Sequence, residues 1–90
     1  DQNILREEAL VRTLVDRKID GLVLCPAAGS HQYMIRYLDL RLPVVTVNRV
    51  LRELPVPAVA SDNTQGAYEA TCHLLAKGLH RLASSWGPRI

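Results

Sequence analysis

The 90 residues are enough for one small domain, and a chain this short buries little surface by itself. Eleven basic residues against nine acidic ones give a net charge of +2, which is too balanced to indicate nucleic-acid binding by this segment. No apolar run approaches the roughly 20 residues that span a bilayer, and no signal peptide is recognisable. The sequence starts without Met, so we expect a segment of a longer chain.

The first half of the chain predicts a helix, a strand and a second helix. Apolar residues recur at helical spacing over residues 4–18, with charged residues on the other face. The apolar run 22–25 is typical of a strand buried on both faces. Ser30 is a candidate N-cap for a helix over residues 31–40. We expect three residues of that helix to face inward: Met34, Ile35 and Leu38.

The second half predicts two short strands, 44–47 and 58–60, followed by a third helix and a weaker strand at 81–86. The third helix has an apolar face built from Ala67, Ala70, Thr71, Leu74 and Leu75. Gly78 is placed to end this helix as a C′ glycine. Apolar strands that alternate with helices indicate an α/β fold, a parallel sheet with flanking helices.

Ligands of open parallel sheets bind beyond the carboxyl ends of the strands. The first strand presents residues 25–30 there, including Ser30, and the second presents Asn48 and Arg49. The third presents residues 61–63, with Asp62 among them. The last two strands end in polar side chains that both donate and accept hydrogen bonds, as a polyol or nucleoside ligand requires.

Each of these residues also has a purely structural interpretation. Asp62 and Asn63 are suited to cap the third helix, which does not exclude contact with a ligand. Asn48 is a common turn former after a strand. Arg49 is equally suited to a surface ion pair of little energetic consequence. The sequence alone leaves these alternatives open.

Catalytic and metal sites have weaker support. Ser30 and His31 are adjacent, but neighbours in sequence do not make a triad without a third, orienting group. His73 and His80 are too far apart for a metal-binding pair on one helix. We expect no catalytic residue, no metal and no cofactor. The two cysteines are expected to be buried thiols, although a disulfide remains open: Cys25 and Cys72.

Three blocks of the sequence resemble the LacI/GalR family of bacterial transcription regulators. Residues 19–27 resemble its "V-D-G-L-I-L-x-P" strand, and residues 43–49 resemble its "P-V-V-x-[VI]-[ND]-R" strand. The third block resembles "x-D-N-x-x-G-A-x-x-A-x-x-H-L-x-x-x-G-H-R-R-I-A" at Ser61, Asp62, Asn63, Gly66, Ala67, Ala70, His73, Leu74, Gly78, Arg81 and Ala83. The blocks occur in the family's order and cover nearly the whole chain. Leu79 departs from the pattern, where the family has His.

The resemblance implies part of a type I periplasmic-binding-protein-like sensor domain, with two α/β subdomains and an effector in the cleft between them. Residues 1–61 would belong to the first subdomain, and residues 62–90 would contain the hinge crossing and the start of the second. Ser61, Asp62 and Asn63 would form the hinge. Asn48, Asp62, Arg49 and Ser30 would contact the ligand. The DNA-binding helix-turn-helix and the first strand of the sheet would lie upstream, outside this incomplete piece.

The resemblance implies a repressor that responds to a ligand. This repressor would act in the cytoplasm as a homodimer, and it would not associate with a membrane. The small-molecule partner would be a sugar or nucleoside, and DNA would be bound only by the missing domain. The alternative is a periplasmic sugar-binding protein, which shares the fold and a similar hinge sequence. A small α/β enzyme is a third interpretation, and the absence of a credible nucleophile–base pair argues against it.

Overall fold

The computed structural model describes residues 2–48, 50–59 and 63–85 of the chain. Their elements in chain order are helix α1 (Gln2–Asp16), strand β1 (Gly21–Leu24), a 3-10 turn (Gln32–Met34) that leads into helix α2 (Ile35–Asp39), β2 (Val44–Val47), β3 (Ala58–Val59), α3 (Asn63–Ala76) and β4 (Leu82–Ser84). No helix in these ranges is long and apolar enough to cross a membrane.

The strands form one sheet in the order β3-β2-β1-β4, and each neighbouring pair is parallel. Leu22 pairs with Val44 at the centre of the sheet, and Val23 pairs with Val45. The predicted parallel sheet with flanking helices is therefore confirmed.

Alternation along the central strands divides the core between the two faces of the sheet, because successive side chains of a strand point to opposite sides. Leu22 and Leu24 join a cluster with Val11 of α1 and Tyr37 of α2. Val23 lies on the opposite face, in a cluster with two valines of β2 and two residues of α3: Val45, Val47, Ala70 and Leu74. Strands buried between helix layers account for the continuous apolar runs in the sequence.

The helix predicted over residues 31–40 is shorter and begins differently. Its first turn is a 3-10 turn, and regular α-helix covers only Ile35–Asp39. Met34 is fully buried as predicted, whereas Ile35 is 46% exposed and its inward orientation was wrong. The tighter 3-10 turn has three residues per turn, which changes the angular phase of the residues that follow and turns Tyr37 toward the core instead.

The last strand forms at Leu82–Ser84 in spite of its serines, and it pairs with β1. Ser84 is buried, and the Ser85 hydroxyl accepts a hydrogen bond from the Cys25 amide at 2.8 Å. The described parts of 1–61 and 62–90 thus contribute to one sheet. Their division between two subdomains of an intact protein stays a prediction.

The β1–β4 contact depends on Asp20 and Gly21, which precede β1. One carboxylate oxygen of Asp20 accepts hydrogen bonds from the amides of Arg81, at 3.0 Å, and His80, at 3.4 Å. A Cβ atom on Gly21 would lie 2.9 Å from Cδ2 of Leu82, so a larger residue would require the Leu82 side chain to move. In the D-G pair of the sequence, the aspartate thus accepts hydrogen bonds from the residues before β4, and the glycine leaves room for the Leu82 side chain.

The hydrogen bonds from the amides of Arg81 and His80 to Asp20, which we call the Asp20 clamp, predict a pH-dependent contribution to stability. The Arg81 amide holds the pKa of Asp20 below its ordinary value of 3.8. Burial opposes it with a smaller effect, and the His80 amide lowers the pKa by less again. A carboxyl group with a lowered folded-state pKa stabilises the fold above its unfolded-state pKa, and this contribution is lost as the pH falls through the folded-state value. We expect Asp20→Asn to lower the free energy of unfolding at neutral pH, by an amount that shrinks below pH 3.8.

Urea denaturation of both proteins across this pH range measures the difference. Asp39→Asn, the same change at an exposed position, is the control and should show no such trend. A difference between wild type and Asp20→Asn that is constant with pH would contradict the clamp.

Candidate functional site

The carboxyl ends of β1, β2 and β3 lie side by side at one edge of the sheet, because the three strands are adjacent and parallel. The segment after β1 carries Ser30, and β2 is followed by Asn48. The structure therefore places two of the four predicted ligand-binding residues on segments that leave the same edge. The other two, Arg49 and Asp62, lie outside the described residues, as does Ser61, which was predicted to belong to the hinge.

Asn48 has a left-handed backbone, with a φ of 73°, and its side chain is exposed. Its amide donates a hydrogen bond to the carbonyl of Val59, at 2.9 Å, which ties the end of β2 to β3. Asparagine is among the few residues other than glycine that adopt this conformation readily. The backbone thus supports the turn-forming role of Asn48, and its exposure leaves the side chain accessible to a ligand.

Ser30 is exposed, and its hydroxyl accepts a long hydrogen bond of 3.4 Å from the Gln32 amide. The N-cap position of the 3-10 turn is His31 and has no side-chain cap, so the predicted capping position was one residue too early. The third predicted hinge residue, Asn63, is the first residue of α3.

A buried polar cluster that the sequence analysis missed holds the segment after β1 against α1. Glu7 of α1 is only 6% exposed. Its Oε1 accepts a hydrogen bond from the Ala27 amide at 2.8 Å, and its Oε2 accepts one from the Tyr33 hydroxyl. Burial of the phenol, followed by its hydrogen bond to Glu7, raises the pKa of Tyr33 well above its ordinary value.

His31 completes this cluster and is fully buried. Its Nε2 lies 2.9 Å from Oε2 of Glu7, close enough for an ion pair if the imidazole is protonated. The contact lacks the geometry of a good hydrogen bond, and Nδ1 has no hydrogen-bond partner among the described residues. The cluster could have been suspected from the sequence, since Glu7 lies at helical spacing between Ile4 and Val11, on the apolar face of α1.

The same segment approaches α1 closely at Gly29. This residue has a φ of 121°, a conformation that side chains with a Cβ atom rarely adopt. A Cβ atom here would lie 2.8 Å from Cγ1 of Ile4. Glycine therefore allows the turn itself and its contact with the helix.

Metal and thiol chemistry find little support in the described ranges. These hold no group of three or more His, Cys, Asp or Glu that could bind a metal ion. Cys25 and Cys72, which both lie in those ranges, do not form a disulfide. Cys25 is partly buried, but Cys72 is exposed, so its predicted burial was wrong because it lies on the outer face of α3.

The fold defines a parallel α/β unit, a class in which ligands bind beyond the carboxyl ends of the strands. The family described as "Periplasmic binding proteins and sugar binding domain of LacI family" matches residues 2–89. The chain belongs to this family, as the three sequence blocks predicted.

Curated relatives of the chain are transcription regulators. A ribose operon repressor of Halalkalibacterium halodurans is 33% identical over 89 residues, which cover 99% of this chain and 26% of that protein. An HTH-type transcriptional regulator, RegA of Clostridium saccharobutylicum, is 26% identical over 98 residues, covering 99% of this chain and 30% of the relative. An arabinose metabolism transcriptional repressor of Geobacillus stearothermophilus is 26% identical over 83 residues, covering 87% of this chain and 23% of that protein.

The chain thus spans about a quarter of the length of these relatives. No solved structure gave a significant match.

Proposed function

We propose that this chain is part of the effector-sensing domain of a transcription repressor of the LacI type and has no catalytic activity. A sugar or nucleoside binds at the carboxyl ends of the strands, in a cleft closed by a second subdomain after the hinge at Ser61, Asp62 and Asn63. Binding changes the affinity of a separate helix-turn-helix domain for DNA, which is a coupling between two sites. The intact protein acts in the cytoplasm as a homodimer.

The observation that carries this proposal is the convergence of three strand ends at one edge of the sheet. Asn48 and Ser30 are exposed on the segments that follow β2 and β1, and their amide and hydroxyl groups both donate and accept hydrogen bonds. Sugar hydroxyls need this combination, because each hydroxyl is itself a donor and an acceptor. Arg49 and Asp62 follow β2 and β3 in the sequence, and we assign them to the same pocket.

The relatives are transcription regulators by name, which favours a regulator over a periplasmic carrier protein. Two of these names concern pentose metabolism, a ribose operon and arabinose metabolism. We therefore expect a pentose, free or within a nucleoside, as the effector of this protein.

The test is calorimetric titration of the intact gene product with D-ribose, L-arabinose, D-glucose and adenosine. It is paired with a mobility-shift assay on DNA from the promoter region of its own gene, with and without each compound. We expect one pentose-containing compound to bind and to change the affinity for DNA. The isolated 90 residues, with their net charge of +2, should not bind the DNA specifically. The proposal would be contradicted if the protein bound none of the compounds, or if a bound compound left its affinity for DNA unchanged.

A further inference from the structure

Residues 27–33, which lead from β1 into the 3-10 turn, are anchored at both ends to one carboxylate. The two oxygens of Glu7 take different partners, since Oε1 accepts from the Ala27 amide and Oε2 accepts from the Tyr33 hydroxyl. Ser30 lies midway between these two contacts in the sequence. One side chain of α1 therefore fixes the backbone on both sides of a predicted ligand-binding residue.

The chemistry of the cluster explains why such an anchor is firm. A buried carboxylate is costly unless hydrogen bonds replace its lost hydration, and residues 27 and 33 supply those hydrogen bonds to Glu7. Hydrogen bonds to a charged group are stronger than neutral ones, and loss of a partner leaves a buried charge exposed to the full desolvation penalty. His31, at 2.9 Å from Oε2, adds a third group from the same segment.

We propose that Glu7 is a positioning residue for the effector site, acting through the segment 27–33 and not by contact with the ligand. It holds the Ser30 hydroxyl at the carboxyl edge of β1, ready to hydrogen-bond a hydroxyl of a polyol ligand. This inference rests on the function proposed above. Without the anchor, the segment would sample other conformations, and the measured affinity would fall by the fraction of molecules that remain competent to bind.

The test compares Glu7→Gln with Glu8→Gln in the intact protein. Both variants make the same chemical change on neighbouring residues of α1, but Glu8 is partly exposed, and its carboxylate lies 3.7 Å from the guanidinium of Arg12. Glutamine at position 7 can still accept from the Ala27 amide, but the oxygen that accepted from Tyr33 becomes an NH₂ group, which cannot accept. Three measurements follow: amide hydrogen exchange over residues 27–33, ultraviolet titration of the tyrosines, and calorimetric titration with D-ribose, L-arabinose and adenosine.

We expect Glu7→Gln to speed exchange over 27–33 and to lower the pKa of Tyr33 toward its ordinary value. If about one molecule in ten then holds the segment in place, the affinity for the effector falls about tenfold. Glu8→Gln should match wild type in hydrogen exchange and in affinity, and it should lower the pKa of Tyr33 by less than Glu7→Gln does, because Glu8 acts on the phenol only through its charge. Thermal melts set a temperature at which every variant is folded, so that a loss of affinity is not a loss of folded protein.

Tyr33→Phe is the second variant, for the case in which Glu7→Gln does not fold. It removes only the hydroxyl that donates to Oε2, and we expect a smaller change in the same direction. Unchanged exchange over 27–33, or faster exchange with wild-type affinity, would overturn the positioning role. A wild-type protein that binds none of the compounds would overturn the proposed function and this inference together, whereas equal binding by wild type and Glu7→Gln would overturn the inference alone.

Discussion

Replacing Leu74 by alanine is expected to lower the free energy of unfolding by about 2–5 kcal/mol, which is the usual cost of removing a buried leucine side chain. Leu74 lies on α3, has no exposed surface and packs with Val23 and Val45 on one face of the sheet. Leu74 also lies close to Gly21, since a Cβ atom added to that glycine would be 3.3 Å from Cδ1 of Leu74. The cavity would therefore open between α3 and both central strands. Urea denaturation of the intact protein measures the change.

Leu75→Ala is the matched control, because it deletes the same atoms at the next position of the same helix. Leu75 is 47% exposed, and we expect its replacement to change stability by no more than about 0.5 kcal/mol. Equal losses for the two variants would mean that α3 does not face the sheet as described.

The contrast between Leu74 and Leu75 shows how far periodicity alone predicts the fold. Both leucines belong to the apolar face predicted for α3, and the helix itself is confirmed at Asn63–Ala76. A flat sheet buries only a narrow stripe of the helix, and the stripe follows Gly66, Ala70 and Leu74. The contact between α3 and the sheet determines which residues of the helix lie at the centre of this stripe. The sequence of the helix alone does not contain that information.

The strands were easier to predict than the contacts between them. Residues 22–24 form a continuous apolar run and residues 44–47 a β-branched one, and each is a buried strand. The pairing of β1 with β4 joins residues about 60 positions apart, and it depends on the Asp20 hydrogen bonds and on the Ser85 hydroxyl. The serines at positions 84 and 85 suggested a weak strand. A sequence does not show whether a serine hydroxyl hydrogen-bonds to a neighbouring strand or disrupts the strand that contains it.

The candidate site shows the same limit. The order of strands and helices alone predicted that Ser30 and Asn48 follow two adjacent strands of the sheet. The cluster of Glu7 and His31 was not predicted, because its burial results from contacts across twenty or more residues of sequence. A charged residue on an apolar helix face was the available signal, and it became meaningful only once its partners were known.

The left-handed backbone of Asn48 changes how its role in binding must be tested. Alanine pays a penalty of about 1–2 kcal/mol in this conformation, so Asn48→Ala is expected to reduce stability as well as affinity. Glycine adopts the same backbone freely and also removes the amide group. Asn48→Gly therefore separates the side chain's contact with a ligand from its part in the turn.

We expect Asn48→Gly to weaken binding of the pentose effector roughly 5- to 100-fold, because a buried hydrogen bond to a ligand contributes on the order of 1–3 kcal/mol. Its melting temperature should stay near that of wild type, whereas Asn48→Ala should lose both affinity and stability. Calorimetric titration of the effector, with thermal melts of all three proteins, measures both quantities. If both variants bind as wild type does and only Asn48→Ala melts earlier, Asn48 serves the turn between β2 and β3 alone, and the pocket must be built from other residues of that edge.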